Sequence, residues 1–216
     1  MPATATDLPR DIPEAVRGEP VELTHASAIS RRALRRGQYA SAHPARARIA
    51  RGWIGLEKTM ADGRRQVLAL FLPGDTLTEQ IAGDAAETLQ FVAMSDAVLE
   101  GAPLSDAPGS AQRVVEELLL LHQRALRQIV RLGRMTAIER MADLLLELYE
   151  RQAPFPSRSE RVRIDLPLTQ AQLSDILGLS SVHINRCLKA LRDHGAVRLR
   201  HGWAEFTPAD LARQIG

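Results

Sequence analysis

The stretch that decides the fold lies near the end of the sequence, at Leu168–Val197, and reads LTQAQLSDILGLSSVHINRCLKALRDHGAV. It predicts two short helices joined by a tight turn at Gly178, because glycine readily adopts the backbone conformation that ends a helix. Thr169 and Ser180 precede the two helices, and their side-chain oxygens are suited to accept the free N–H groups of a first turn. The stretch is therefore typical of a helix-turn-helix whose first helix spans Gln170–Leu177.

The second predicted helix has an apolar face and a polar face. The apolar face carries Ile184, Cys187, Leu188 and Leu191. The polar face carries Ser181, Val182, Asn185, Arg186 and Lys189, within about 140° at about 100° per residue. Such a helix fits the major groove of DNA, where Arg186 can bond to guanine, Asn185 to adenine and Val182 to a thymine methyl group. We therefore predict double-stranded DNA as a partner.

The residues that follow predict a small β-wing. Val197–Arg200 and Trp203–Phe206 resemble two strands, with His201-Gly202 as the turn between them. The candidate phosphate contacts of the wing are Arg198, Arg200 and His201. The alternative is a helical hairpin in an unrelated core with a solvated polar face. The caps, the base-compatible residues and the basic wing together favour a winged helix-turn-helix.

Short strands separated by turn signals occupy the chain from about residue 39 to residue 104. Arg48–Glu57 and Gln66–Leu72 carry strand-like apolar residues, and Phe91–Leu99 predicts a last strand. Ala61-Asp62-Gly63 predicts a hairpin turn. This spacing is typical of a small antiparallel barrel or jelly roll. We expect an α+β fold with an antiparallel barrel domain at residues 23–110, after a mobile arm at residues 1–22.

A long helix is predicted at residues 111–134, before a DNA-binding domain at residues 135–216. Its seam residues recur at alternating steps of three and four: Val115, Leu118, His122, Ala125, Ile129 and Leu132. This spacing indicates a dimer interface, although packing within one chain gives the same periodicity. Thr136 and Glu139 match a capping box. A second helix should therefore run to about Arg151, followed by a polar linker to Arg163.

The composition excludes several classes of protein. No apolar run approaches the roughly 20 residues that cross a membrane, and the first residues lack the apolar segment of a secretory signal. The lone Cys187 allows no internal disulfide, so we expect a soluble cytoplasmic protein with no membrane partner. Six scattered histidines argue against a metal site and against an enzyme built on the barrel.

The net charge of +2 conceals blocks of one sign. Residues 30–51 hold seven arginines and no acid, whereas residues 66–112 hold seven acids and no lysine or arginine. Residues 124–134 hold four arginines and no acid. Such blocks are usually solvated faces, so the isoelectric point near 9.1 agrees with nucleic-acid binding without establishing it.

Three segments resemble the CRP/FNR superfamily of bacterial transcription regulators. They are GWIGLEKTMADGRRQVLALFLPGD (52–75), MTAIERMADLLLELYER (135–151) and GLSSVHINRCLKALR (178–192). The resemblance implies a homodimer joined through the long helix, bound to a two-fold symmetric site, and in contact with RNA polymerase if it activates transcription. It places base contacts on Ser181, Val182, Asn185 and Arg186, and phosphate contacts on Thr169 and Gln170.

The barrel departs from the cyclic-nucleotide binders of that family. Those members carry a Gly-Glu pair and then an arginine followed by a small residue, whereas Thr78-Glu79 and Glu87-Thr88 stand here. A carboxylate facing a phosphate has the wrong sign of charge. We therefore expect an effector other than cyclic AMP, or none. The cysteine cluster of iron–sulfur members is absent, and no cofactor is predicted. The available haem ligands show no motif: His25, His43 and Met60.

Two alternatives remain beside a simple regulator. Oxidation of Cys187 next to Arg186 could block DNA binding. The thiol occupies a helix position that normally packs an aliphatic side chain, however, which favours a small buried apolar group. The acidic barrel could instead make the chain an interaction module for a basic partner, without DNA binding. Gel shifts with variants of Arg186 and Arg200 separate the interaction module from a DNA-binding regulator.

Overall fold

The computed structural model describes residues 31–40, 46–78, 89–101 and 110–215, and these residues form antiparallel sheets and helices in an α+β fold. This confirms the predicted fold class. The arm predicted at residues 1–22 lies outside the described residues. Within the described ranges, no helix combines the length and the apolar character needed to span a bilayer.

Eight of the described strands build the N-terminal domain. They are β1 (Arg31–Leu34), β2 (Tyr39–Ala40), β3 (Arg46–Arg51), β4 (Ile54–Thr59), β5 (Arg65–Phe71), β6 (Thr76–Thr78), β7 (Leu89–Ala93) and β8 (Ala97–Gly101). They pair into two four-stranded antiparallel sheets, ordered β1-β8-β3-β6 and β2-β7-β4-β5. Buried residues from both sheets, among them Ile49 and Phe71, form one core. The predicted antiparallel barrel or jelly roll is confirmed.

The single strand predicted at Phe91–Leu99 is wrong, because the chain changes sheets within it. Strand β7 ends at Ala93 and β8 begins at Ala97, in the other sheet. The same change separates β3 from β4, and the two corners pack together at Gly52. A Cβ on Gly52 would lie 2.2 Å from the Asp96 carbonyl oxygen. The apolar pattern runs through such corners, so periodicity alone does not reveal them.

The hairpin turn predicted at Ala61-Asp62-Gly63 joins β4 and β5. The Met60 N–H donates to the Arg64 carbonyl oxygen at 2.8 Å, which closes the turn. Gly63 has φ +81°, a conformation that glycine adopts without a steric penalty. This prediction is confirmed, because the turn residues encode their own local geometry.

Two helices link the N-terminal domain to the C-terminal part of the chain. Helix α1 spans Ser110–Arg134 and continues through Gly133, and α2 spans Ala137–Gln152. The predicted capping box is confirmed, since Thr136 Oγ1 accepts the N–H of Glu139 and the Glu139 carboxylate accepts the N–H of Thr136. The second helix therefore starts where its local sequence predicts.

The C-terminal domain combines three strands with three short helices. In chain order they are β9 (Val162–Leu166), α3 (Gln170–Leu177), α4 (Ser181–Asp193), β10 (Val197–Arg200), β11 (Gly202–Phe206) and α5 (Pro208–Ala212). Strand β9 pairs antiparallel with β11, so the sheet order is β10-β11-β9. The linker predicted up to Arg163 is therefore too long, because pairing with a distant strand turns its last residues into β9.

Helix α3 packs directly on the sheet β2-β7-β4-β5. Gln66 Nε2 on β5 donates to the Ile176 carbonyl oxygen at 3.2 Å, and Gln172 Nε2 on α3 donates to the Met94 carbonyl oxygen at 2.9 Å. Buried residues of both parts belong to one apolar cluster, which includes Trp53, Val67, Leu70, Leu173, Leu177 and Ile184. The position of the helix-turn-helix is thus set by the barrel.

Candidate DNA-binding site

Helix α3 begins and ends with defined caps. Thr169 Oγ1 accepts the Gln172 N–H at 3.2 Å, and Gln172 Oε1 accepts the Thr169 N–H at 2.9 Å. The helix ends at Gly178, which has φ +61°. A Cβ on Gly178 would lie 3.4 Å from Leu132 Cδ2 on α1. The predicted cap and turn are both confirmed, and the structure adds the reciprocal bond from Gln172.

Helix α4 places its two predicted faces in different surroundings. Ser180 Oγ accepts the His183 N–H at 3.3 Å, which confirms Ser180 as the cap. The apolar face is buried and consists of Ile184, Cys187, Leu188 and Leu191. The polar face is exposed and consists of Ser181, Val182, Asn185, Arg186 and Lys189. Hydrogen-bonding groups of a guanidinium and an amide therefore point away from the core, near the helix N-terminus.

Strands β10 and β11 form the wing beside α4. They join at His201-Gly202, where Gly202 has φ +85°. Arg200 and His201 are exposed at this tip. Arg198 is also exposed, but its Nη1 lies 3.8 Å from Glu205 Oε1, which balances part of its charge. The tip residues are thus better placed than Arg198 to contact an external anion.

All ten candidate DNA-binding residues are exposed, including the pair at the start of α3, Thr169 and Gln170. Around one cleft, the structure brings this pair together with Arg200 and His201 of the wing. Two further basic residues line the same cleft and were missed by the sequence analysis, Arg36 and Arg192. The arginine block at residues 30–51 was the only signal for Arg36. Its place beside Pro167, 131 positions later, follows from tertiary packing alone.

Cys187 lies in the buried core of the helix-turn-helix. Its side chain belongs to the apolar face of α4, and the residue is 4% exposed. Burial raises the pKa of the thiol above its ordinary value, so the reactive thiolate is scarcer at neutral pH. These surroundings favour a packing role for Cys187 over a redox role.

Helix α1 exposes a long apolar stripe. Of the six predicted seam residues, Val115, Leu118, His122 and Ile129 are exposed, whereas Ala125 and Leu132 are half-buried. Leu118 also lines a small cavity of about 140 Å³ between α1 and the barrel. The apolar residues Leu119, Leu126 and Val130 are exposed as well. The exposed stripe shares Val115, His122 and Ile129 with the predicted seam. Because it also includes Leu119, Leu126 and Val130, it is displaced around the helix relative to that seam.

A buried ionic cluster fixes the opposite face of α1. Arg131 is 2% exposed, and its guanidinium donates to Asp143 Oδ2 at 2.7 Å and to Glu147 Oε2 at 2.5 Å. Arg127 donates to both Asp143 and the more exposed Glu150. Burial alone would raise the pKa of the Asp143 carboxyl group, but the two guanidinium groups outweigh it and lower that pKa. The carboxylate therefore stays charged in the folded protein.

The same cluster reaches the barrel through Asp75, which follows β5. Arg151 on α2 donates to Asp75 Oδ2 at 2.6 Å and to the Leu70 carbonyl oxygen at 2.9 Å. Arg124 on α1 donates to Asp75 Oδ1 at 3.1 Å. One acid of the acidic barrel block is therefore neutralised within the chain. These contacts tie barrel, α1 and α2 together.

The structure describes only part of the barrel segment in which Thr78-Glu79 and Glu87-Thr88 depart from the expected cyclic-nucleotide motif. Thr78 is buried at the end of β6, whereas Glu79, Glu87 and Thr88 lie outside the described residues. Of the three available haem ligands, Met60 is exposed, and His25 and His43 lie outside the described residues. No group of acidic, histidine or cysteine residues in the described part of the chain is arranged to hold a metal ion.

These features together define a class of protein. A winged helix-turn-helix with an exposed polar recognition face is carried by an antiparallel barrel and a long helix with an exposed apolar stripe. That architecture is typical of a DNA-binding transcription regulator with an N-terminal sensor domain.

Comparison with known proteins agrees with this class. Residues 139–213 match the Crp-like helix-turn-helix domain. The transcriptional activator protein FnrL of Cereibacter sphaeroides is 30% identical over 179 residues, which cover 78% of this chain and 71% of FnrL. The nitrogen fixation regulation protein FixK of Bradyrhizobium diazoefficiens is 30% identical over 160 residues, which cover 71% of this chain but only 66% of FixK.

The fold is shared with a solved structure of FixK2 from Bradyrhizobium japonicum, with a TM-score of 0.70 and 22% identity over 88% of this chain and 98% of that one. Because FnrL is 30% identical and 71% of it is covered, the chain belongs to the CRP/FNR family of bacterial transcription regulators. It is a DNA-binding transcription regulator, and the members of this family that it matches are transcription factors, not enzymes.

Proposed function

We propose that this chain acts in the cytoplasm as a homodimer that binds a pseudo-palindromic DNA site and responds to an effector other than cyclic AMP, or to none. The observation that carries the proposal is the separation of the two faces of α4, with Asn185 and Arg186 exposed above a fully buried apolar face. Duplex DNA and a second copy of the chain are the partners, with RNA polymerase added if the chain activates transcription.

The residues of α4 divide into base and backbone contacts. A guanidinium in the major groove bonds bidentately to guanine, so Arg186 supports discrimination at one base pair. Asn185 can bond bidentately to adenine in the same way. Ser181 and Lys189 lie at the two ends of the exposed face. The capped start of α3 at Thr169 presents backbone and side-chain donors to a phosphate.

Selection of binding sites from a random DNA pool tests the proposal. We expect the purified chain to enrich a two-fold related sequence whose half-sites lie about one helical turn, roughly 34–36 Å, apart. Enrichment of a single unpaired half-site would contradict the dimer, and no enrichment at all would contradict sequence-specific binding.

Mass spectrometry of the purified protein tests for an effector, because it identifies any metal ion or small molecule that remains bound.

The dimer interface is proposed along the exposed stripe of α1. Val115, Leu119, His122, Leu126 and Ile129 recur at steps of four, three, four and three. That spacing keeps one seam facing a partner helix over several turns. Relative to the sequence analysis, Leu119 takes the place of Leu118, which also lines the cavity beside the barrel, and Leu126 takes the place of the half-buried Ala125. Leu132 is half-buried and is left out of the proposed seam.

Replacing Ile129 by aspartate is expected to convert the dimer into a monomer at micromolar concentration. Ile129 is 65% exposed in one chain, and a carboxylate buried in a seam would lose its hydration without a counter-charge. Sedimentation equilibrium measures the change, and affinity for the selected site should fall at least about tenfold. Gln123→Asp, on the same helix beside the stripe, is the matched control and should stay dimeric. An unchanged mass for Ile129→Asp would exclude this seam.

Peroxide sensitivity tests the alternative role of Cys187. Because the thiol is buried and its pKa is raised, we expect peroxide to leave DNA binding by the wild type and by Cys187→Ser equally strong. Alkylation of Cys187 in the folded protein should be at least about tenfold slower than in the unfolded chain. A loss of binding in the wild type that Cys187→Ser escapes would instead establish a redox-responsive regulator.

A further inference from the structure

The last carbonyl groups of α3 are bound by side chains from three other elements. Carbonyl groups at the end of a helix have no partner within it, so they need donors from elsewhere. The Ile176 carbonyl oxygen accepts from Gln128 Nε2 on α1 at 2.7 Å and from Gln66 Nε2 on β5 at 3.2 Å. The Leu177 carbonyl oxygen accepts from Arg140 Nη1 on α2 at 3.0 Å. The end of α3 is therefore fixed to the barrel and to both preceding helices.

Gln128 makes the shortest of these three bonds, and its side chain is buried. Its Oε1 accepts from Arg131 Nη1 at 2.6 Å, which orients the amide and directs Nε2 at the Ile176 carbonyl oxygen. Arg131 is held in turn by Asp143 and Glu147. A buried amide that is bonded at both ends has little freedom to rotate, and a satisfied buried network of this kind is rigid. The bond therefore fixes the distance between α1 and the end of α3.

The dimer seam and the reading helix meet at this bond. Gln128 directly precedes Ile129, which is 65% exposed and belongs to the proposed seam. Successive residues of a helix point about 100° apart, so one turn of α1 faces the partner chain with Ile129 and α3 with Gln128. Ile176 is the second-last residue of α3, and the turn at Gly178 leads directly to α4. One buried bond and one short turn thus separate the seam from α4.

We propose that Gln128, through its bond to the Ile176 carbonyl oxygen, is a positioning residue that selects the spacing between the two DNA half-sites. The inference rests on the proposed function, since it requires a dimer with two reading helices. In that dimer the bond occurs once in each chain and fixes each α4 relative to the shared seam. One inserted base pair moves a half-site by about 3.4 Å and rotates it by roughly 35°. The reading helices follow that change only if the bond breaks or the duplex deforms.

The test compares the selected site with two sites whose half-sites are one base pair closer together or one base pair farther apart. We expect the wild type to prefer the selected spacing at least about tenfold in fluorescence anisotropy titrations. Gln128→Met replaces the amide by an apolar side chain of similar length, while the Ile176 carbonyl oxygen keeps its bond from Gln66. The variant should keep its preference for the half-site sequence, but its spacing preference should fall to about threefold or less.

Gln66→Met is the matched control, because Gln66 binds the same carbonyl oxygen from the barrel, which does not carry the seam. It should keep the spacing preference of the wild type. A second variant, Gln128→Glu, keeps the oxygen that accepts from Arg131 and loses the donor to the Ile176 carbonyl oxygen. It should therefore relax the spacing preference as Gln128→Met does. A wild-type preference in Gln128→Glu would assign the effect to Arg131 and overturn the inference.

The remaining outcomes separate a positioning role from a structural one. If Gln128→Met loses affinity equally at all three spacings, Gln128 only stabilises the fold and the inference fails. It fails as well if Gln66→Met relaxes the preference as much as Gln128→Met, because the barrel contact then sets the spacing. Wild-type binding that is equal at all three spacings overturns the inference while the proposed function stands. If the wild type binds paired half-sites no better than a single one, the proposed dimer fails and the inference fails with it.

Discussion

Replacing Arg186 by alanine is expected to abolish sequence-specific DNA binding while leaving the fold intact. Arg186 is exposed on α4 next to the buried Cys187, so truncation removes a donor without opening the core. A bidentate contact to guanine is worth about 1–3 kcal/mol of discrimination, which is roughly 5- to 150-fold in affinity for each half-site. In gel shifts, the variant should bind the selected site no better than an unrelated duplex.

Arg200→Ala is the matched control for this change. Arg200 is also an exposed arginine of the C-terminal domain, but it lies at the wing tip, where phosphates are the expected partners. Its removal should weaken binding to all sequences alike and reduce the salt dependence, without loss of preference for the selected site. If neither arginine changes the gel shift, α4 is not the reading helix and the interaction-module interpretation regains support.

Replacing Asp143 by alanine is expected to lower the free energy of unfolding by about 3 kcal/mol or more. Asp143 is buried and accepts bonds from both Arg127 and Arg131, and Arg131 is 2% exposed. Removal of the carboxylate leaves a buried guanidinium with Glu147 as its remaining acidic partner. Urea unfolding followed by circular dichroism gives the change directly.

Glu150→Ala is the control, because Glu150 binds the same Arg127 from the surface with a side chain that is 54% exposed. Ion pairs at the surface contribute less than about 1 kcal/mol, so the urea concentration at the unfolding midpoint of Glu150→Ala should barely differ from that of the wild type. Equal losses for Asp143→Ala and Glu150→Ala would show that burial does not govern the strength of this cluster.

The same carboxylate makes stability depend on acid. The folded-state pKa of Asp143 lies below the ordinary value of about 3.9 that it has in the unfolded chain. Its contribution to stability is therefore complete above that ordinary value and is lost as the pH falls through the folded-state pKa. As the pH falls from 5 through the folded-state pKa of Asp143, the free energy of unfolding should fall more for the wild type than for Asp143→Ala. If it falls equally for both proteins, Asp143 is not the group responsible.

The barrel fixes the orientation of the helices that follow it. Asp75 joins Arg124 of α1 to Arg151 of α2, and Gln172 reaches the Met94 carbonyl oxygen. With the bond from Gln66 to the Ile176 carbonyl oxygen, these contacts fix the position of α3 relative to the barrel.

Local sequence determined those parts of the protein whose geometry depends on neighbours in the chain. The helix caps form as predicted at Thr169, at Ser180 and at the Thr136–Glu139 pair, and α3 ends at Gly178. Each of these features depends only on residues a few positions away in the sequence. The same locality explains the correct division of α4 into an apolar and a polar face, since a helix of known period fixes which residues share a side.

Only the tertiary structure decided the features that depend on distant partners. Strand β9 forms because β11 pairs with it, and the Phe91–Leu99 strand divides because the chain passes from one sheet to the other. The exposed apolar stripe of α1 differs from the predicted seam because Leu118 and Leu132 have neighbours in their own chain. Arg36 lies beside the start of α3 because the barrel turn packs against Pro167. In each case the deciding contact joins residues far apart in sequence, which periodicity and composition do not encode.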